Sequence, residues 1–288
     1  MKKGIDKKME FAKSVLAELE KFGYYSKISE IKRVNGFQSV GIVMYRNPDE
    51  EKAAPIIYIV DEMLDSSPEE IAREIIDMLA NTLDEKAYIE ECVKYIADAD
   101  YCLSRIVPMV VNYDKNLADL DNRPHRILAG DLALQYATIV GDDDGDFLGT
   151  VIVSNDVLSL WKLTEEDLYK AVLAVGAYTL GCQILPIDEV LREAGHIFSL
   201  PVPLNVITNA YCKNGAGLLA CPQAMPEEDS YIIPSSVDEF FSIPVRVCDQ
   251  KDELIELVKE VNQEDMLEDS FLSNKLYIYK VGEGISLA

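Results

Sequence analysis

Asn214-Gly-Ala-Gly-Leu-Leu-Ala-Cys221, followed after a polar loop by Tyr231-Ile-Ile-Pro-Ser-Ser-Val-Asp-Glu239, is the stretch on which the reading of the fold turns. Asn-Gly is the strongest short-range hairpin signal, because both residues accept the positive φ of a tight turn. Lys213-Asn214-Gly215 therefore predicts a hairpin, with Leu204–Thr208 as the strand entering it and Ala216–Cys221 as the strand leaving it. The same grammar occurs earlier. Asn35-Gly36 follows Lys32-Arg-Val34, and Ile56-Ile-Tyr-Ile-Val-Asp-Glu62 carries the matching Ile-Ile…Val-Asp-Glu. From Asn35 to Val60 is 25 positions and from Asn214 to Val237 is 23. An amphipathic helical pattern follows each copy. The pattern reads as a degenerate internal duplication of a helix–hairpin–strand–helix unit, over about residues 5–82 and 163–265, flanking a middle segment 83–162.

Periodicity fills in the remaining elements. Phe11, Ala12, Val15, Leu16, Leu19 and Phe22 share a helical face that Gly23 ends. Ser67, Pro68 and Glu70 spell a helix start with a capping box, and Ile71, Ile75, Met78 and Leu79 supply its apolar stripe. A helical pattern runs from about Asp84 to Asp98, a strand lies within Ile106–Tyr113, and Asp119–Pro124 reads as loop. Leu132–Val140 and Thr150–Val153 are strands joined by the acidic turn Gly141–Asp146. Leu163, Thr164, Asp167 and Leu168 mark a second capped helix. Helices near Pro186–Ala194 and Asp252–Asn262 and a closing strand Leu276–Val281 complete the chain. With no Pro- or Gly-rich linker, the expectation is one composite α+β domain over residues 1–288, built on a mixed, largely antiparallel sheet with packed helices.

Charge bounds the partners. Against 27 Lys and Arg stand 51 Asp and Glu, a formal net charge of −24. Such a surface argues against direct binding to nucleic acid or anionic membrane. Met1-Lys-Lys-Gly-Ile-Asp-Lys-Lys8 lacks the apolar run of a secretory signal, and Ala171–Pro186 is too short and too polar to span a bilayer. Six scattered cysteines without a C-x-x-C pair fit reduced thiols, and the chain reads as cytoplasmic.

Motifs with chemical content are few. Asp142-Asp-Asp-Gly-Asp146 fails the calcium-loop pattern, since alignment puts Val140 at the first ligand position and Val151 where the bidentate Glu belongs. Lys213-Asn-Gly-Ala-Gly217 lacks the strand–loop–helix setting of a phosphate loop. Arg123-Pro-His-Arg126 is a compact basic island whose His125 has the right acidity for general base work or an anion contact. Pro234-Ser-Ser-Val-Asp-Glu239 offers the hydroxyls of Ser235 and Ser236 beside Glu239, without G-x-S-x-G or S-x-x-K around them. No residue pattern points to a cofactor or a metal.

Segments along nearly the whole chain carry a resemblance. They include Val34-Asn-Gly36, Pro55-Ile-Ile-Tyr58, Val111-Asn-Tyr113 with Pro124-His-Arg126 and Asp131-Leu-Ala133, and Ile152-Val-Ser-Asn-Asp156. Val206-Ile-Thr-Asn209, Asn214-Gly-Ala216, Ile232-Ile-Pro-Ser-Ser236 and Leu272-Ser with Tyr277 continue it in order. The chain resembles a bacterial family, domain of unknown function 5688, found in gut Firmicutes. The resemblance implies no activity, cofactor or catalytic residue. It does mark one departure: the family has Pro-Ser-Ser-x-His-Glu where this chain has Asp238 before Glu239, which removes an imidazole from that position.

Three functional readings follow. The first is a non-catalytic factor that works through an unidentified protein partner. The second is an enzyme, of hydrolase type, drawing on His125, Asp131, Asn209, Ser235, Ser236 and Glu239. The third is an acidic mimic of nucleic acid that inhibits a nucleic-acid-binding protein.

Overall fold

The computed structural model describes residues 2–32, 34–36, 38–45, 56–80, 93–141, 147–193, 195, 203–248, 251–252, 254–256, 259 and 270–288. Its contacts divide the chain into two compact units, residues 1–93 and 94–288.

The first unit packs two helices on a three-stranded antiparallel sheet of order β1-β2-β3. Helix α1 (Lys2–Lys21) ends at Gly23, whose φ of 84° is the left-handed stop that the sequence predicted. Strands β1 (Tyr25–Lys32) and β2 (Gln38–Tyr45) form the expected hairpin, with Asn35 and Gly36 at φ 61° and 70° in its turn. Strand β3 (Ile56–Tyr58) pairs with β2, and helix α2 (Pro68–Ala80) follows. Its capping box is present: Ser67 N–H donates to Glu70 Oε2 at 2.9 Å and Glu70 N–H to Ser67 Oγ at 3.2 Å. Ala12, Val15 and Leu19 of α1 and Ile71, Ala72 and Ile75 of α2 close over Val40, Ile42 and Met44. Met78 does not join this stripe as predicted; it is 55% exposed.

The second unit holds two antiparallel sheets. In the four-stranded one, the central β6 (Leu132–Gly141) pairs with β4 (Ile106–Asn112) on one side. On the other it pairs with β5 (His125–Ala129) and then β7 (Phe147–Ile152). The six-stranded sheet has the order β13-β12-β10-β11-β9-β8. These strands are β8 (Cys182–Pro186), β9 (Asn205–Asn209), β10 (Ser230–Ile233), β11 (Phe240–Pro244), β12 (Tyr277–Lys280) and β13 (Gly284–Leu287). Every pairing among the described strands is antiparallel, so none of them supplies the parallel pairing that a mixed sheet needs.

Helices α3 (Ala99–Ser104), α4 (Tyr113–Leu120), α5 (Asn155–Trp161) and α6 (Glu165–Ala171) pack around these sheets. The Thr164/Asp167 capping box that opens α6 is formed. A π-turn at Val172–Gly176 then leads into α7 (Ala177–Leu180), and α8 (Ile187–Glu193) follows β8. Tyr136, Phe240 and Tyr277 are the largest side chains fully buried in this unit's core. The described part of the predicted helix 252–262 is helical, but the acidic turn 142–146 and most of 84–98 lie outside the described residues.

The deciding stretch departs from its reading. Gly215–Ala220 is a 3-10 helix, not a strand, and β9 pairs with β8 and β11 instead of with 216–221. Asn214 does take the left-handed conformation, φ 57° and ψ 23°, almost matching Asn35. The two Asn-Gly copies thus share a backbone kink but not the element after it. Steric demand explains the difference. A Cβ at Gly217 would overlap the Pro108 carbonyl of β4, and one at Gly215 would overlap the Asp238 carbonyl. The glycines let the backbone press against two neighbours, and the intervening Ala216, Leu218 and Leu219 are buried. Asp119 likewise belongs to α4 and not to the predicted loop. No helix among the described residues is long and apolar enough to cross a membrane.

Candidate functional site

Asp131 sits in the turn between β5 and β6, and its carboxylate gathers distant parts of the second unit. Oδ1 accepts from Ser273 Oγ at 2.7 Å and from the Tyr277 phenol; Oδ2 accepts from Asn112 Nδ2 at 3.3 Å and faces Lys275 Nζ at 3.3 Å. Its backbone carbonyl accepts from Tyr113 N–H at 2.8 Å. Burial disfavours its ionised form, but the Tyr277 and Ser273 bonds and the Lys275 charge outweigh that and hold the carboxyl below its ordinary value. The partner phenol of Tyr277 is pushed up, first by burial and then by the carboxylate it bonds. Asn112 completes the node: Oδ1 caps α4 through Lys115 N–H at 3.0 Å, and Nδ2 also donates to Leu272 O at 2.9 Å.

Asn209, fully buried at the end of β9, binds its own loop. Nδ2 donates to Lys213 O at 2.6 Å, and Oδ1 accepts from Tyr211 and Lys213 N–H at 3.0 and 3.3 Å. This fastens the loop that delivers Asn214. Asp238 receives it: Oδ1 accepts from Asn214 N–H at 2.7 Å, while its backbone carbonyl accepts from Thr208 Oγ1 at 2.9 Å. Ser236 Oγ accepts from Asp238 N–H at 3.0 Å. Ser235 Oγ lies 3.4 Å from both Glu239 O and Glu239 Oε1. Burial pushes the Glu239 carboxyl up, the Ser235 bond opposes this, and the Asp238 charge adds to it. Asp238 is therefore an acceptor for a backbone N–H.

The structure brings Asn209, Ser235, Ser236 and Glu239 into two adjoining loops joined by the Thr208–Asp238 and Asn214–Asp238 bonds. Residues 270–277 tie that pair of loops to Asp131, because Val237 N–H donates to Ser270 O at 2.9 Å while Ser273 and Tyr277 hold the carboxylate. His125 stands apart. It opens β5, at the other end of that strand from Asp131, with Nδ1 3.0 Å from Arg123 O and its ring 6.1 Å from that of Tyr113. Among the described residues, His125 and Glu239 share no bond.

Sequence reasoning missed a polar cluster beside His125. Arg126 pairs in bidentate fashion with Glu165 at 2.9 and 2.8 Å, reaches Glu166 at 2.7 Å, and stacks over Tyr169 at 3.6 Å. The phenol of Tyr136 donates to the same Glu165 carboxylate. Burial disfavours ionised Glu165, but Arg126 and Tyr136 together hold its carboxyl below the ordinary value. Arg123 donates to buried Gln135 at 2.9 Å. The charge of Arg126 is thereby met by two carboxylates of α6, while Arg123 is held by a neutral amide. Only the Glu165-Glu166 pair at the start of α6 hinted at this, and the 39-residue separation from Arg126 hid it. Among the described residues no three His, Cys, Asp or Glu side chains gather as metal ligands. The five described cysteines are free thiols; burial pushes Cys102 up to about 11 and Cys221 up to about 12.

Residues 8–281 match the family of unknown function DUF5688. The chain belongs to that family. No curated protein and no solved structure matches the chain. The segments that carry the family resemblance include the two nodes just described, Asn112–Asp131–Ser273–Tyr277 and Asn209–Asn214–Ser236.

Proposed function

We propose that this DUF5688 protein is a cytoplasmic, non-catalytic interaction or accessory factor that meets a protein partner through Tyr178 of α7 and Tyr211 of the turn after β9. The observation that supports this reading is a contrast between neighbours. The amide of Asn209 is committed to its own loop, and Asp238 and Ser236 to backbone groups beside it. Next to them Tyr178 is 90% exposed and Tyr211 70% exposed. Tyr178 in α7 and Tyr211 in the turn after β9 stand on segments held together, since Ala210 N–H donates to Gly181 O at 3.0 Å and Gly181 N–H to Tyr178 O at 3.0 Å. Tyrosine on a rigid support offers a large contact area at a low entropic cost and is enriched among interface anchors.

The test is affinity capture from the source cell with the parent chain and a Tyr178→Ala/Tyr211→Ala double variant. The expected result is a partner retained by the parent, lost by the double variant, and still retained by His125→Ala. Identical retention by parent and double variant sinks the reading. A complex that instead dissolves steeply with salt and is indifferent to the tyrosines favours the acidic mimic. The 3.4 Å approach of Ser235 Oγ to a partly buried, upshifted Glu239 favours the hydrolase alternative. That alternative requires turnover of an ester or peptide panel that Glu239→Gln abolishes.

A further inference from the structure

A cavity of about 260 Å³ opens on one face of the six-stranded sheet, under the turn that follows the 3-10 helix. Cross-strand register builds it. Asn205 of β9 stands opposite Ser242 of β11, and Ser230 of β10 stands opposite Pro244 of β11, so small and polar side chains from three strands alternate onto the same face. Ile184, Ile207 and Met225 give it an apolar wall. Ser242 is only 2% exposed, yet among the described residues its hydroxyl makes no hydrogen bond, and neither does the Asn205 carboxamide. Ser242 Oγ is not among the enclosed hydroxyls left without a partner, so it is open to the cavity, where a bound donor or acceptor can reach it. At the mouth, Glu228 is committed to Arg246 at 2.7 and 3.2 Å, whereas Glu227 has no ion pair among the described residues. The volume lies at the lower edge of ligand pockets, ~300–1,000 Å³, so the occupant is small.

We propose that this cavity binds a small organic amine. Its apolar body lies against Ile184, Ile207 and Met225, a hydroxyl at one end bonds Ser242 and Asn205, and an ammonium at the other meets Glu227 in the field of an acidic protein. The site is separate from the tyrosine surface and stands or falls independently of it.

Tyramine, 4-ethylphenol (no ammonium) and phenethylamine (no hydroxyl) form a matched set of probes for titration calorimetry on the full chain. Tyramine is expected to bind saturably at one site, about tenfold more tightly than either relative, the loss of one hydrogen bond or charge contact. Glu227→Gln, at an exposed position, should erase tyramine's advantage over 4-ethylphenol. Ser242→Ala should erase its advantage over phenethylamine while leaving the melting temperature nearly unchanged, because the hydroxyl makes no hydrogen bond to the described residues. Absence of saturable binding by all three probes overturns the proposal. So does tyramine binding that neither variant alters.

Discussion

Burial pushes two carboxyls of the second unit the same way, but their partners leave them with net shifts of opposite sign, and pH separates them. Asp131 is held below its ordinary value by Tyr277, Ser273 and Lys275 against the pull of burial. A depressed acid contributes stability that is present above the unfolded pKa, about 3.9, and is lost as pH falls through the lower folded value. Asp131→Asn keeps one acceptor but breaks the charge-assisted bonds, so it should lower stability at pH 7 by about 2 kcal/mol. Below pH 4 the gap should begin to narrow, as chemical denaturation at pH 7 and pH 3 would reveal. Glu239 has the reverse sign. Its carboxyl is raised from 4.5 by burial, so its stabilising protonated form is fully present below that value and is lost as pH rises through the folded one. Glu239→Gln should therefore melt a few degrees higher than the parent at pH 7 and together with it at pH 4. A lower melting point at pH 7 would mean that the ionised carboxylate is itself a structural acceptor. Asp131 was legible in the sequence as a candidate polar residue, but its role was not: Ser273 and Tyr277 lie 142 and 146 positions away.

Among elements, those fixed by local chemistry were the readable ones. Ser67…Glu70 and Thr164…Asp167 each specify a helix start through bonds spanning three residues, and Asn35-Gly36 specifies a turn through its own backbone preference. The 3-10 helix Gly215–Ala220 shows where such reading stops. Asn214 obeys its local preference, yet whether a strand or a helix follows is decided by β4 and Asp238, which approach too closely for any side chain at Gly217 or Gly215. The alternation of small and apolar residues in Ala216–Cys221 was compatible with both. Gly217→Ala tests that account. It should force the 3-10 helix off Pro108 and cost about 3 kcal/mol, an overpacking penalty at the upper end of the usual range. Gly282→Ala is a useful comparison: nothing lies within 4 Å of its Cβ, so only the strain of its φ of 82° remains. Equal losses in the two variants would show that conformation, and not the approach to β4, sets the need for glycine at 217.

For the molecule as a whole, the question is whether 288 residues melt as one body. The expectation of a single composite domain rested on the lack of a Pro- or Gly-rich linker. Internal contacts gather around two clusters, one on β2 with α1 and α2, the other around Tyr136, Phe240 and Tyr277. Each cluster is closed by its own helices, and the bonds described for the Asp131 and Asp238 nodes join elements of residues 94–288. A fragment of residues 94–288 should then fold alone, with a cooperative transition and the free Asp131→Asn effect intact. The family match spans both units, which says that they travel together without saying that they unfold together. Calorimetry of the full chain distinguishes the two cases. Two transitions, one reproduced by the fragment, would establish independent cores. One transition, with a fragment that fails to fold, would establish the single composite domain. The charge of −24 supplies an additional control, since repulsion among like charges weakens with screening. Added salt should raise both transitions, and a salt response confined to one of them would place the excess acidity in that unit.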